Sequence, residues 1–119
     1  MRSSITVPIE PMGAVRVTQG SRWSPRAKRY EEYKEAIRLH LAGKYQLGPV
    51  VELEFHITVP KSWSKKRRAE QLGQPHQSKP DIDNLVKGFM DAFGYDDSHV
   101  HTITARKTWQ ESGAIRIVL

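Results

Sequence analysis

Residues 50–59 read VVELEFHITV, and their alternation is the clearest structural signal in the chain. Val51, Leu53, Phe55, Ile57 and Val59 face one way. Glu52, Glu54, His56 and Thr58 face the other. Period-two alternation of this kind marks a strand buried on one face, in an antiparallel or mixed sheet. Pro60 ends it.

Upstream, Ser24 is a good helix N-cap, and Pro25 at the first helical position loses only an N–H that would lack a partner anyway. Tyr30, Tyr33, Ile37 and Leu41 then recur at spacings of three and four, so a helix is expected from Ser24 to a stop at Gly43. Residues 3–9 place Ile5, Val7 and Ile9 on one side, predicting a first strand. Pro8 suggests that this strand lies at a sheet edge. Val15 and Val17 suggest a second short piece.

Downstream, a short helix is expected from Ser64 to about Leu72, stopping at Gly73, within a long and mobile polar loop over 61–80. Leu85, Phe89 and Phe93 fall at i, i+4 and i+8. They predict a buried amphipathic helix with Asp83 as N-cap and Gly94 as its end. Residues 95–98 read as a turn. Residues 99–109 and 114–119 read as a closing hairpin with Ser112-Gly113 near its tip.

The chain has 119 residues, a length that fits one domain spanning 1–119. It has no cysteine, which excludes a disulfide scaffold, a zinc–cysteine site and a thiol nucleophile. No apolar run approaches the ~18–20 residues of a membrane span. The expectation is a soluble, cytoplasmic protein with no membrane association. Lys plus Arg number 19 against 13 Asp plus Glu, a net +6 that points to a polyanionic partner.

The cations are clustered. Lys61-Ser-Trp-Ser-Lys-Lys-Arg-Arg68 holds five in eight residues, and Trp63 among them could stack on a base, wedge into a distorted base step, or simply pack on the core beside a solvated charge run. Arg16, Arg22, Arg26, Lys28 and Arg29 form a second basic group around Trp23. Arg16, Arg22, Trp63, Lys65, Lys66, Arg67, Arg68 and Lys79 are the candidate DNA contacts.

The acids are clustered too. Asp81 and Asp83 flank a helix start, and Asp96 and Asp97 follow the far end of that helix. A hard dication such as Mg²⁺ takes one or two carboxylates together with water and a substrate phosphate. Each residue has a plainer reading. Asp83 could be only a cap, Asp96-Asp97 a surface turn, and Lys87 an exposed partner one turn after Asp83. An EF-hand is excluded, because counting from Asp81 its fifth and sixth positions are Leu85 and Val86. A phosphoaspartyl nucleophile would follow a buried apolar strand, whereas His76-Gln-Ser-Lys-Pro80 precedes Asp81. A histidine-based route is open in principle through His40, His56, His76, His99 and His101.

Three strings together resemble the RusA family of Holliday junction resolvases: Lys79-Pro-Asp-Ile-Asp-Asn-Leu-Val-Lys87, Asp91-Ala-Phe93 and Asp96-Asp-Ser-His-Val100. The flanks agree at Pro11–Thr18, at Arg29-Tyr30 with Tyr33-Lys34, and at Pro60–Arg68. The resemblance covers nearly the whole chain. It implies an α+β fold, a small mixed or antiparallel sheet with two main helices packed on it, assembled as a homodimer. It also implies Mg²⁺-dependent, symmetric cutting of four-way DNA junctions in recombination and repair, with no small-molecule cofactor, and a phage or bacterial origin. By position, Asp81, Asp83 and Asp97 are the implied metal-binding and catalytic acids, Lys87 is the essential lysine, and Asp96 is a further metal ligand. The spacing Phe93-Gly-Tyr-Asp96 is shorter than the family usually shows. The alternatives are a binding module that recognises branched DNA without cutting, and a nuclease for flap or single-strand DNA.

Overall fold

The computed structural model describes residues 2–94 and 96–119. Four strands and three helices follow in the order β1 (Ser4–Val7), α1 (Pro25–Leu41), β2 (Val50–Thr58), α2 (Lys65–Gln71), α3 (Ile82–Asp91), β3 (Thr102–Gln110) and β4 (Ala114–Val118). This is an α+β fold with a mixed sheet ordered β1-β4-β2-β3.

β2 lies inside the sheet. It pairs parallel with β3 and antiparallel with β4, while β1 pairs antiparallel with β4 at the edge that Pro8 suggested. The alternation in β2 is realised as expected: Val51, Leu53, Phe55, Ile57 and Val59 are buried, and the residues between them are half-buried on the opposite face. Tyr30, Tyr33, Ile37 and Leu41 of α1 join that core, as do Leu85 and Phe89 of α3. The Ser24 hydroxyl accepts the Ala27 N–H at 3.1 Å, so α1 starts where the sequence placed it. Phe93 meets Phe89 edge-on, with centroids 5.1 Å apart.

The expected closing hairpin does not form, since β3 and β4 lie on opposite sides of β2. Burial explains the choice. β4 buries Ala114, Ile115, Ile117 and Val118, and a strand this apolar gains most from an interior position. β3 exposes Thr102, Ile103 and Thr104 and takes the edge. Loop length does not separate the two arrangements. Stepping over β2 spans two strand spacings, about 9.6 Å, and the four residue steps from Gln110 to Ala114 reach about 13 Å. At the crossing, a Cβ on Gly113 would lie 2.6 Å from the Glu10 Cα. The Glu10 carboxylate accepts the Thr58 N–H (3.1 Å) and hydroxyl (2.9 Å) there.

Three smaller expectations are also corrected. Residues 15–17 form no strand; instead the segment docks on α3, where Ala14 donates its N–H to Asn84 O at 3.0 Å. The loop after α2 is tied to the edge of β3, with Gly73 N–H on Trp109 O, Trp109 N–H on Gln74 O and His76 N–H on Lys107 O. The regular part of α3 ends at Asp91 rather than at Gly94.

Candidate active site

α3 begins two residues earlier than the sequence suggested. Its N-cap is Asp81, not Asp83, and the Asp81 side chain makes no capping hydrogen bond. That carboxylate is therefore not committed to the helix it precedes. Asp83 sits in the first turn, where its Oδ1 accepts the Asn84 N–H at 2.9 Å. Asp81 and Asp83 are exposed and line one open cleft of ≈ 570 Å³ together with Arg26, Lys79, Pro80 and Asn84. Carboxylates near a helix N-terminus are favoured by the helix dipole, which helps the fold hold two of them side by side.

Several contacts fix this end of α3. Lys107 of β3 donates its ammonium to Ser78 O (2.6 Å) and Pro80 O (2.7 Å), clamping the segment that leads into Asp81. Asn84 donates its side-chain N–H to Ala14 O at 3.3 Å, which reinforces its backbone bond to Ala14. This contact brings the 11–18 segment, with exposed Arg16, to the same helix end. Lys87 is exposed one turn after Asp83, on the same face of the helix. Arg22 lies over Trp23 at 5.2 Å, just before α1 and Arg26. Lys65, Lys66, Arg67 and Arg68 ride on α2, where Arg68 pairs with Glu111 at 3.3 Å.

Asp96 and Asp97 lie elsewhere. Ten helical residues at about 1.5 Å each separate the two ends of α3 by about 15 Å. β3 gives a similar ruler: Lys107 holds Pro80, while His101 and Val100, which donate to Pro49 O and Asp97 O, lie six and seven residues earlier, about 20–23 Å along the extended chain. Asp96 is engaged in its own turn. The Ser98 N–H (2.9 Å) and hydroxyl (3.0 Å) bind its carboxylate and hold its pKa below the usual carboxylate range. Among the described residues of one chain, no three Asp, Glu or His side chains group closely enough to hold a metal ion. The structure thus brings Asp81 and Asp83 together and leaves Asp97 at a distance. Tyr95 of the expected 95–98 turn lies outside the described residues.

Asp91, part of the Asp-Ala-Phe string, joins α1 to α3 by accepting a hydrogen bond from the Tyr30 hydroxyl at 2.7 Å. Burial and this neighbouring carboxylate push the Tyr30 phenol well above its ordinary pKa.

The sequence matches the family described as Endodeoxyribonuclease RusA over residues 8–119. The chain belongs to the RusA endodeoxyribonuclease family. An uncharacterised protein of Bacillus subtilis (strain 168), YqaN, is 29% identical over 122 residues, covering 92% of this chain and 84% of that one. No solved structure matches. RusA membership makes the chain a resolvase-type endonuclease by family, with branched DNA as the implied substrate class. No helix among the described residues is long and apolar enough to cross a membrane.

Sequence reasoning did not reach Lys107, because a lone lysine in a strand carries no motif. It also left Arg26 among the general basic residues, since only the fold brings it into the cleft with Asp81.

Behind this site His76 is buried at 3% exposure, against Trp109. Desolvation, helped by the Lys107 charge, lowers its pKa below the ordinary histidine value. The folded protein therefore binds that proton more weakly than the unfolded chain does. The stability contributed by the neutral ring is complete above about pH 6.5 and is lost as pH falls through the lowered folded value. Urea unfolding between about pH 8 and pH 5 should show a loss of stability that His76→Gln reduces. Equal pH slopes in the two proteins would remove His76 from this role.

Proposed function

We propose that this protein is a Mg²⁺-dependent endonuclease that resolves four-way DNA junctions by paired phosphodiester hydrolysis, in recombination and repair. The observation that carries the reading is the pair of exposed carboxylates, Asp81 and Asp83, in one open cleft beside Arg26 and Lys79, with Asp81 free of capping duty.

This donor set fits the ion. Two hard carboxylates, water and a substrate phosphate are the environment that Mg²⁺ takes in nucleotide chemistry. A dication bound there supplies concentrated positive charge at the scissile phosphate and lowers the pKa of a water molecule. The chain's own residues do the rest. Arg26 and Lys79 attract the phosphate and orient it against the carboxylates. Lys87, on the face of α3 that carries Asp83, offsets charge that develops on the phosphoryl or leaving oxygen. Lys107 keeps the Asp81 backbone in place through Ser78 and Pro80. The exposed cations of α2 and Arg16 hold the flanking phosphate backbone, and binding should weaken steeply with salt.

The 15 Å length of α3 between Asp81 and the Asp97 turn, about ten residues at ~1.5 Å each, motivates a further part of the reading. We take the working unit to be a homodimer in which Asp97, with Asp96 beside it, comes from the second copy. A two-fold assembly also suits a junction with near two-fold symmetry and yields two nicks.

The test is a panel of labelled substrates (four-way junction, flap, duplex and single strand), each with Mg²⁺ and with chelator. Paired nicks in the junction alone, abolished by chelator, are expected. Equal rates on all four substrates would favour a less selective nuclease. Junction binding without any cutting in Mg²⁺ would favour a recognition module.

A further inference from the structure

We propose that the hollow between α2 and β3 holds one unpaired nucleobase from the branch point, next to the phosphate that is cut; this rests on the nuclease reading above. The hollow has a volume of ≈ 420 Å³, in the lower part of the ~300–1,000 Å³ range of small-molecule sites. Its walls are two indoles. Trp63 and Trp109 meet with centroids 4.7 Å apart at an interplanar angle of 60°, so they form an open corner rather than a closed stack. His76 backs Trp109 at 4.4 Å from inside the protein, which fixes that wall. Gln71, Gln77 and Ser78 also line the hollow. Amide and hydroxyl groups both donate and accept hydrogen bonds, as the edge of a base requires.

Charge selects the occupant. Lys65, Lys66 and Arg67 are exposed in the first turn of α2, and the Arg67 guanidinium lies 4.1 Å over the Trp63 ring. An aromatic corner under three cations suits a base whose flanking phosphates are gripped from above. A base inside a duplex is covered on both faces and cannot enter. A base at a branch point is already partly unstacked and enters at the least cost.

Position ties the hollow to the chemistry. Ser78 lines the hollow and Asp81 lines the cleft. Three residue steps part them, at most about 11 Å. Lys107 grips the carbonyls of Ser78 and Pro80 together, so both sites sit on one held segment. A strand with its base in the corner passes its neighbouring phosphate close to Asp81.

The experiment uses the native protein and four-way junctions carrying a single abasic site, moved nucleotide by nucleotide through the branch point. Affinity is read by gel shift in chelator, so that nothing is cut, and cutting is read separately in Mg²⁺. Expected is one position, within about two nucleotides of the nick, where loss of the base weakens binding about tenfold. Trp63→Leu should show that loss on the intact junction and less than a twofold further loss on the abasic one. Trp63→Phe, which keeps an aromatic face, should restore most of the difference. The proposal is overturned if no abasic position costs the native protein more than twofold, or if the cost is unchanged in Trp63→Leu. If the native protein cuts and shifts the junction yet shows no abasic effect, only the base site falls. If it neither cuts nor shifts the junction, the nuclease reading falls with it.

Discussion

Asp81→Asn is expected to lower the rate of junction cutting by about a thousandfold, equivalent to about 4 kcal/mol of transition-state stabilisation. Neither folding nor DNA binding should suffer. Asn is as good an N-cap as Asp, and the Asp81 carboxylate makes no capping bond that the substitution could remove. Losing one negative charge near the helix N-terminus costs a few tenths of a kcal/mol to about 1 kcal/mol from the dipole. Relief of repulsion from Asp83 offsets part of that cost. Removing a negative charge from the face that meets phosphate should leave junction affinity in chelator unchanged or slightly tighter. Cutting in Mg²⁺ and a gel shift in chelator, measured on one preparation, check both halves. A variant that cuts within tenfold of the native rate would take Asp81 out of the chemistry.

The second large effect is expected from Gly88→Ala. In an open helix this change stabilises by about 1 kcal/mol, because Ala is the better helix former. Here a Cβ would lie 2.6 Å from Met12 O and 3.2 Å from Ala14 N, both backbone atoms of the segment docked on α3. Backbone cannot swing aside as a flexible side chain can. Overpacking of this kind costs typically ~1–3 kcal/mol, and separating the segment also strains the Ala14–Asn84 hydrogen bonds at about 1 kcal/mol each. The unfavourable terms are larger, so a net loss of about 2 kcal/mol is expected in urea or thermal unfolding. Cutting should fall as well, since Arg16 travels with the displaced segment. An unchanged or raised Tm would show that the 11–18 segment does not depend on close contact with Gly88.

Much of this was legible in the sequence where burial is one-sided. VVELEFHITV announces its strand because one face meets the helices and the other does not. α1 and α3 announce themselves through stripes at spacings of three and four. The placement of β4 was not legible, because a three-residue link after β3 serves a hairpin and a step over β2 equally well. What decides is the competition of Ile115 and Ile117 for an interior position, a property of the whole sheet. The site divides in the same way. Asp81 and Asp83 are neighbours in the chain, so their proximity is local and readable. Asp97 is tied to them only through the fold, and α3 puts its own length between them. The clamp from Lys107 is likewise a product of β3 lying beside the 73–80 segment, and no local pattern points to it. The choice of Asp81 over Asp83 as N-cap turned on a shift of two residues between like side chains, which their chemistry alone does not resolve.

The most direct test mixes two variants, Asp81→Asn and Asp97→Asn, and measures cutting of a four-way junction in Mg²⁺. Each alone should be inactive. After exchange, about half of the dimers are mixed, and each mixed dimer rebuilds one site of two from the intact Asp81 of one copy and the intact Asp97 of the other. The mixture should therefore nick at about a quarter of the native site activity. A mixture as inactive as its components, despite demonstrated exchange of copies, would contradict a cation shared between two chains, and normal cutting by either variant alone would contradict the metal site itself.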